Sequence, residues 1–269
     1  MQAAYENPTT DIYCRDTRYV SKTLGYRPHL HYGIELAFLW SGHTHVTVDS
    51  MEYDVFGGDA VISFPNQIHT FRTIEREQYI LLKINPDLFP ELTYVLTSTI
   101  PSSNVIRNAA KDEEMVSLIQ KISDVYYGDI PYRETILRGY LLAFLGILLP
   151  KIDLVDVQSA DYHVVGTIMH YCSKNFNQEL SLAVLEKDLH LSRYYISHIM
   201  NSKLKIGFND YVNSLRVSAA CTLLEKEALN VTEISARVGF NTLRTFNRAF
   251  IKQMGCTPSE YRQKKKQNQ

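Results

Sequence analysis

Residues 180–212 read LSLAVLEKDLHLSRYYISHIMNSKLKIGFNDYV, and residues 230–262 read NVTEISARVGFNTLRTFNRAFIKQMGCTPSEYR. The second stretch repeats the first. Leu182, Leu185 and Leu189 correspond to Val231, Ile234 and Val238 at an offset of 49 residues; after a one-residue insertion Ile196, Met200 and Tyr211 correspond to Phe246, Phe250 and Tyr261 at an offset of 50. Apolar residues three and four apart share one face of a helix, so each copy predicts a short helix, a turn and a second short helix. Between the copies Phe208, Tyr211, Val212, Leu215, Ala219 and Leu223 form the buried stripe of a longer connecting helix. Units this small do not enclose a site for metabolic chemistry.

They do suit the reading of a duplex. A helix-turn-helix needs a support helix, a tight turn, and a second helix whose outer face is free to enter the major groove. In the second copy Val231 to Val238 supplies the support, Gly239 permits a positive φ at the turn, and Asn241 or Thr242 can cap the next helix. Phe246 and Phe250 then share one face, and Arg244 and Arg248 lie about 200° round from them, with Thr245 beside the arginines. Arginine matches guanine edges, at roughly 1–3 kcal/mol of discrimination per bidentate contact. The first copy turns Ile196 and Met200 inward and Tyr194 and His198 outward, with Arg193 and Ser197 beside them and Ser192 at the N-cap. Lys252 is placed to meet a phosphate. A connecting helix of about seventeen residues spans ~25 Å, enough to hold two reading helices near the ~34 Å repeat of one duplex turn. The plainer alternative is a pair of helical hairpins in an ordinary bundle with solvated arginines.

The bulk numbers agree with a two-part chain. Its 269 residues fit two domains and a connector. The formal net charge of −1 divides unevenly: residues 1–160 carry a balance of −7 and residues 161–269 a balance of +6. Only the C-terminal part is therefore expected to meet a polyanion. The longest apolar stretch, Tyr140 to Leu149, is too short to cross a bilayer, and no apolar segment follows Met1. Four scattered cysteines without CxxC spacing suit reduced thiols in a cytoplasm.

At this point the residues resemble a known family. Ile234, Gly239-Phe240, Phe246, Arg248, Phe250, Gly255, Thr257-Pro258 and Tyr261-Arg262 look like the C-terminal signature of AraC-type transcription regulators. Leu185, Leu189 to Ser192, Phe208, Tyr211 and Leu215-Arg216 look like the first motif of the same domain. The resemblance covers about 100 residues and implies two recognition helices that enter successive major grooves. Three departures stand in the first copy: Lys205 where the family has glycine, and His198 and Met200 where it has arginine and phenylalanine. The second unit is accordingly expected to read more of the sequence.

Ahead of this domain the text is β-like from Tyr26 to Ile84, with Ile34, Leu36, Phe38 and Trp40 alternating with Glu35, Ala37 and Leu39. Turn signals at Ser41-Gly42, Asp49-Ser50, Gly57-Gly58 and Pro65-Asn66 divide it into short strands, as in a small antiparallel barrel. Residues 1–25 look like an N-terminal arm. The stretch 111–150 switches to two apolar helical segments, which either cover the barrel or form a dimer contact. The spacing His29, His31, Glu35, Gly42 matches the first cupin motif, and Gly58-Asp59, Pro65 and His69 resemble a shortened second one. That resemblance implies a barrel in which His29, His31, Glu35 and His69 converge, as ligands of a divalent metal or as hydrogen-bonding groups for a polar ligand.

The expected fold class is α+β: a cupin-like barrel at 1–105, a helical dimerisation segment and linker at 106–160, and an all-α double helix-turn-helix domain at 161–269. The expected function is regulation of transcription, with no enzymatic activity and no required cofactor. The partners are double-stranded DNA, a small-molecule effector, a second copy of the chain and, for an activator, RNA polymerase; no membrane is involved. DNA contacts are expected from Ser192, Arg193, Tyr194, Ser197, His198, Asn241, Thr242, Arg244, Thr245, Arg248 and Lys252. Candidate effector residues are His29, His31, Glu35, Phe38, Trp40, His69, Arg72 and Tyr79, with Tyr53 and Phe64 as further linings. The rival readings are a cupin metalloenzyme with a DNA-binding tail, and a regulator whose barrel is purely structural.

Overall fold

The computed structural model describes residues 4–5, 11–157, 160–204, 206–226 and 229–267, which fall into two compact units divided near residue 163. Lys205, the expected departure at the end of the first recognition helix, lies outside the described residues.

The first unit is an antiparallel sheet built around two long strands. Strands β1 (Ile12–Asp16), β2 (Tyr26–Leu30), β3 (Ile34–Val48), β4 (Met51–Phe56), β5 (Ala60–Ser63) and β6 (His69–Ile84) follow in order. β3 and β6 run side by side from the pair Ile34 and Ile84 to the pair Val48 and His69. β1 and β2 pair with β6; β5 pairs with the first half of β3 and β4 with its second half. The stretch expected to be an N-terminal arm thus contributes Ile12–Asp16 to the sheet.

Ser41-Gly42, read as a turn, instead lies inside β3 at a place where the register shifts against β6. Gly42 has φ +91°, and a Cβ there would sit 2.5 Å from the Arg76 carbonyl oxygen, so only glycine lets the strands approach this closely. The irregularity also reverses the alternation. Ile34, Leu36 and Phe38 belong to one core, whereas Val46 and Val48 join Ala37 and Leu39 in the other.

The remaining elements of this unit are α1 (Thr93–Ser98), β7 (Thr99–Pro101), β8 (Val105–Ile106), α2 (Glu113–Tyr127), α3 (Arg133–Leu148) and β9 (Leu154–Asp156). β8 pairs with β5. Asp112 caps α2 by accepting from the Met115 N–H at 3.0 Å. Met115, Ile119 and Ile122 of α2 and Leu137, Leu141, Phe144, Leu145 and Leu148 of α3 share one core with Ile34, Leu36, Phe38, Ile62, Ile80 and Leu82 of the sheet. The inner faces of both helices thus pack on the chain's own sheet. Each such side chain contributes about 1.5–3 kcal/mol on burial. The stretch read as a linker contains β9, which pairs with β7.

The second unit is helical: α4 (Ala160–Asn175, of which 164–175 belong here), α5 (Leu182–Leu189), α6 (Arg193–Ile199), α7 (Phe208–Lys226), α8 (Val231–Arg237), α9 (Leu243–Met254) and α10 (Pro258–Gln267). Ser192, expected as an N-cap, falls between α5 and α6, and the turn expected at Gly239 falls between α8 and α9. Val217, Ala220 and Leu224 of α7 close a core with Ile234, Val238, Phe240, Phe246 and Phe250.

Candidate nucleic-acid interface and barrel site

The second reading helix is positioned from both ends. Asn230 and Glu233 form a reciprocal capping box at the start of α8, the Asn230 side chain accepting from the Glu233 N–H at 2.9 Å and the Glu233 carboxylate accepting from the Asn230 N–H at 2.8 Å. Gly239, at φ +91°, turns the chain against the backbone of Asn177, and Thr242 caps α9 by accepting from the Thr245 N–H at 3.2 Å. Phe246 and Phe250 are fully buried, which fixes the rotation of α9 and leaves Arg244 and Arg248 exposed. Neither arginine forms an ion pair among the described residues. Asn241 is exposed just before the cap, Thr245 spends its hydroxyl on the Thr242 carbonyl at 2.8 Å, and Lys252 pairs with Asp210 at 2.7 Å.

The first reading helix presents a different surface. Ser192 caps α6 by accepting from the Tyr195 N–H at 3.2 Å. Ile196 and Met200 are buried, and Tyr194, 82% exposed, lies parallel to His198 with ring centroids 6.2 Å apart. Arg193 is ion-paired with Glu186 at 2.7 Å, and Ser197 is half-buried beneath Asn201, whose amide donates to the Ser197 carbonyl at 2.8 Å. Asn201 is exposed one turn beyond His198, and its place was missed because α6 passes into a π-helical turn at Met200–Leu204. The turn before α6 is made by His190 at φ 56° without a glycine.

Arg216 was named only as part of a motif. The structure shows it donating to the carbonyls of Phe176 (2.7 Å) and Gln178 (2.9 Å) while its guanidinium lies 5.5 Å from the Phe240 ring centroid. It thereby ties α7 to the loop after α4 and to the second helix-turn-helix.

In the first unit His29, His31, Glu35 and His69 do converge. All four are buried, and one potential ligand atom from each lies within 4.8 Å of the others. β2 carries His29 and leads into His31, while β3 and β6 bring Glu35 and His69. The three imidazoles are held alike: Nδ1 of His29, His31 and His69 meets the carbonyl oxygens of Arg27 (3.1 Å), Gly33 (2.8 Å) and Gln67 (2.9 Å). At each ring the Nε2 atom turns toward Glu35, and that of His31 is within hydrogen-bond distance of its carboxylate at 3.1 Å. Those Nε2 atoms lie 3.9, 3.1 and 3.6 Å from the carboxylate, and that of His69 has no hydrogen-bond partner.

A fifth residue was missed. Lys83 sits opposite Glu35 in the β3–β6 register and places Nζ 3.0 Å from its carboxylate. Burial alone would raise the Glu35 carboxyl, but the Lys83 ammonium and the imidazoles overcome it and hold the group well below the usual range. Burial pushes His31 down to about 4 and lowers His29 as well, against the opposing influence of Glu35. The signal for Lys83 was present: a lysine at the inward parity of the run Tyr79, Leu81, Lys83.

The other candidate linings are not gathered at this cluster. Phe38, Trp40 and Phe64 lie in the core shared with α2 and α3, on the opposite face from Glu35. Tyr79 lies in the same core as Phe71, but its hydroxyl is spent on the carbonyls of Lys22 (3.1 Å) and Thr23 (3.3 Å). Tyr53 packs at that core's margin, and Arg72 is exposed.

A sheet unit with a buried polar cluster, followed by two capped helix-turn-helix units with outward-facing arginines, defines a transcription regulator of the sensor-plus-reader class. Comparison with known proteins agrees. The family model described as an AraC-like ligand binding domain matches residues 11–132, and that described as a helix-turn-helix domain matches residues 185–264. The chain is 22% identical over 240 residues to the Msm operon regulatory protein of Streptococcus mutans, covering 86% of this chain and 84% of that protein. It is 31% identical over 119 residues to the uncharacterized HTH-type transcriptional regulator YtdP of Bacillus subtilis, a match to 44% of this chain that spans only 15% of that protein. Among solved structures, apo ToxT from Vibrio cholerae has the same fold, with a TM-score of 0.57 at 16% identity over 96% of this chain and 98% of that one. The chain belongs to the AraC-type transcription regulators. No helix among the described residues is long and apolar enough to cross a membrane.

Proposed function

We propose that the chain binds specific double-stranded DNA through α6 and α9 and that a small molecule in the barrel cluster controls that binding. One observation carries the DNA reading: α9 buries Phe246 and Phe250 and leaves Arg244 and Arg248 exposed and without an ion pair among the described residues. Tyr194, His198, Ser197 and Asn241 supply further polar contacts, and the Ser192, Thr242 and Thr245 hydroxyls set the helix starts. Arg193 and Lys252 meet phosphates after exchanging Glu186 and Asp210 for them. The effector reading is supported by the family and by the buried cluster around Glu35. ToxT has been solved with an unsaturated fatty acid bound; here the clustered imidazoles, carboxylate and ammonium point to a more polar occupant. The protein acts in the cytoplasm as a homodimer, and as an activator it would contact RNA polymerase. It performs no catalysis.

The test is selection of an operator from random duplexes, followed by fluorescence anisotropy across a salt series. Arg248→Ala should reduce discrimination between the operator and a single-base variant by about 5–150-fold, the equivalent of ~1–3 kcal/mol. Lys252→Ala should weaken all duplexes alike and flatten the salt slope. Equal, sequence-independent losses from both variants would overturn the assignment of α9 as the reading helix.

A further inference from the structure

We propose that the loop 64–68 transmits the state of the barrel cluster to the first turn of α4, with the Tyr162 hydroxyl as the contact that receives it. This rests on the reading of the cluster as the effector site and names the element through which that site acts.

The loop joins β5 to β6 and is fastened to two of the four cluster residues. The Asn66 N–H donates to the His31 carbonyl at 2.9 Å, and the Gln67 carbonyl meets Nδ1 of His69 at 2.9 Å. The His69 ring therefore cannot move without shifting or releasing Gln67. Any occupant that displaces the imidazole acts on this loop first.

On its other side the loop holds α4. The Tyr162 hydroxyl donates to the Pro65 carbonyl at 2.5 Å, a contact between residues 97 apart in the chain. Burial, and then the Asp49 carboxylate, raise the Tyr162 phenol, so the hydroxyl keeps the proton it donates. His163 meets the Val157 carbonyl at 2.9 Å, a tie to the segment just before the helix. Beyond these residues α4 continues unbroken to Asn175 in the helical unit, where Val165, Ile168, Met169 and Cys172 are buried. There the Tyr211 hydroxyl of α7 donates to the Met169 carbonyl at 3.4 Å. One helix thus begins on the cluster's loop and ends among the elements that seat the reading helices.

The loop is built to change. Gln67 and Ile68 are anchored on Asp49, through Gln67 Nε2 at 3.1 Å and the Ile68 N–H at 3.0 Å. Asn66 is left-handed at φ 71°, and its Oδ1 is buried without a hydrogen-bond partner. A strained backbone and an unpaired acceptor each cost free energy that a second arrangement of residues 65–66 can recover.

Hydrogen exchange of the full-length protein, followed on peptides covering 160–170 with no added ligand, tests the link. Tyr162→Phe should speed exchange there by about 2–10-fold, the equivalent of one hydrogen bond. His69→Gln, which disturbs the cluster's hold on the loop, should speed the same peptides. The double variant should exchange no more than about twofold faster than Tyr162→Phe alone. Tyr94→Phe, at an exposed tyrosine of α1, should change nothing. Operator affinity measured by anisotropy should shift about 5–150-fold in His69→Gln, and no more than about twofold when His69→Gln is added to Tyr162→Phe. If His69→Gln loses its near-ultraviolet circular dichroism, Lys83→Met, which removes the cation beside Glu35, takes its place.

A folded cluster variant with unchanged exchange at 160–170 would overturn the inference. So would fully additive effects of the two substitutions, or an equal effect of Tyr94→Phe. Coupled exchange with an unmoved operator affinity keeps the link and removes the broader reading, in which the cluster controls DNA binding.

Discussion

Replacing Gly239 by alanine tests how the second helix-turn-helix is seated, and Gly255 supplies its control. Both glycines have positive φ, +91° and +70°. An L-residue in that region costs roughly 1–2 kcal/mol. Their surroundings differ. A Cβ at Gly239 would meet the Asn177 carbonyl carbon and oxygen at 2.8 Å and Cα at 2.9 Å, all backbone atoms, whereas one at Gly255 would meet nothing within 4 Å. Overpacking of this kind adds about 1–3 kcal/mol. Gly239→Ala should therefore destabilise the helical unit by about 2–5 kcal/mol, and Gly255→Ala by about 1–2 kcal/mol. A unit of ~100 residues loses about 4–8 °C of midpoint per kcal/mol, so Gly239→Ala should melt at least about 4 °C below Gly255→Ala. Far-ultraviolet circular dichroism follows the helices, while fluorescence of the single tryptophan, Trp40, half-buried against the core of the sheet unit, reports that unit separately. Equal midpoints for the two variants would refute the claim that Gly239 is required by the approach to Asn177.

Other contacts give narrower expectations. Ser123 donates to the buried Asp16 carboxylate at 2.6 Å, so Ser123→Ala should destabilise the sheet unit by about 1–3 kcal/mol, seen as an earlier urea midpoint of Trp40 fluorescence. Arg216→Lys cannot reproduce the fork onto Phe176 and Gln178; it should cost about 1–3 kcal/mol in the circular dichroism transition and leave the tryptophan signal in place. Asn230→Ala removes the capping box of α8 and should cost about 0.5–2 kcal/mol in the same transition, with Asn230→Ser recovering most of it. On the proposed reading, Tyr194→Ala should change which base is preferred in one half of the operator while leaving stability unmoved, because the side chain is 82% exposed; unchanged selectivity would remove α6 from the base-reading surface.

The helical unit was legible because its information is local. Turn, cap and buried face lie within a few residues in Asn230, Gly239, Thr242, Phe246 and Phe250, and the duplicated pattern supplies a check. The sheet unit was legible in its strands but less so in its faces. Alternation placed Glu35 opposite Phe38 correctly, yet extending the same parity past Gly42 fails, because the irregularity there depends on where Arg76 and Glu77 lie, more than thirty residues away. The histidines and Glu35 could be grouped by motif spacing. The inward parity of Lys83 was legible in the run Tyr79, Leu81, Lys83, but its pairing with Glu35 comes from register, and β1 escaped notice because a five-residue strand carries too little period.

The two reading helices also differ in the charge they can offer, and this shapes how the proposed grip on DNA divides. In α9 Arg244 and Arg248 are exposed and have no ion pair among the described residues. In α6 the one arginine, Arg193, is held by Glu186 at 2.7 Å, and the outward residues are an aromatic, an imidazole and an amide. Breaking an exposed ion pair costs little, about 0–1 kcal/mol, but Glu186 stays beside the phosphate it would have to face. Counterion release, and with it the salt dependence, should therefore come mainly from the second half, while the first contributes packing of Tyr194 and hydrogen bonds from His198 and Asn201. Neutralising Glu186 by substitution with glutamine releases Arg193 and should steepen the salt slope by about one phosphate's worth, and an unchanged slope would mean that α6 never meets the backbone.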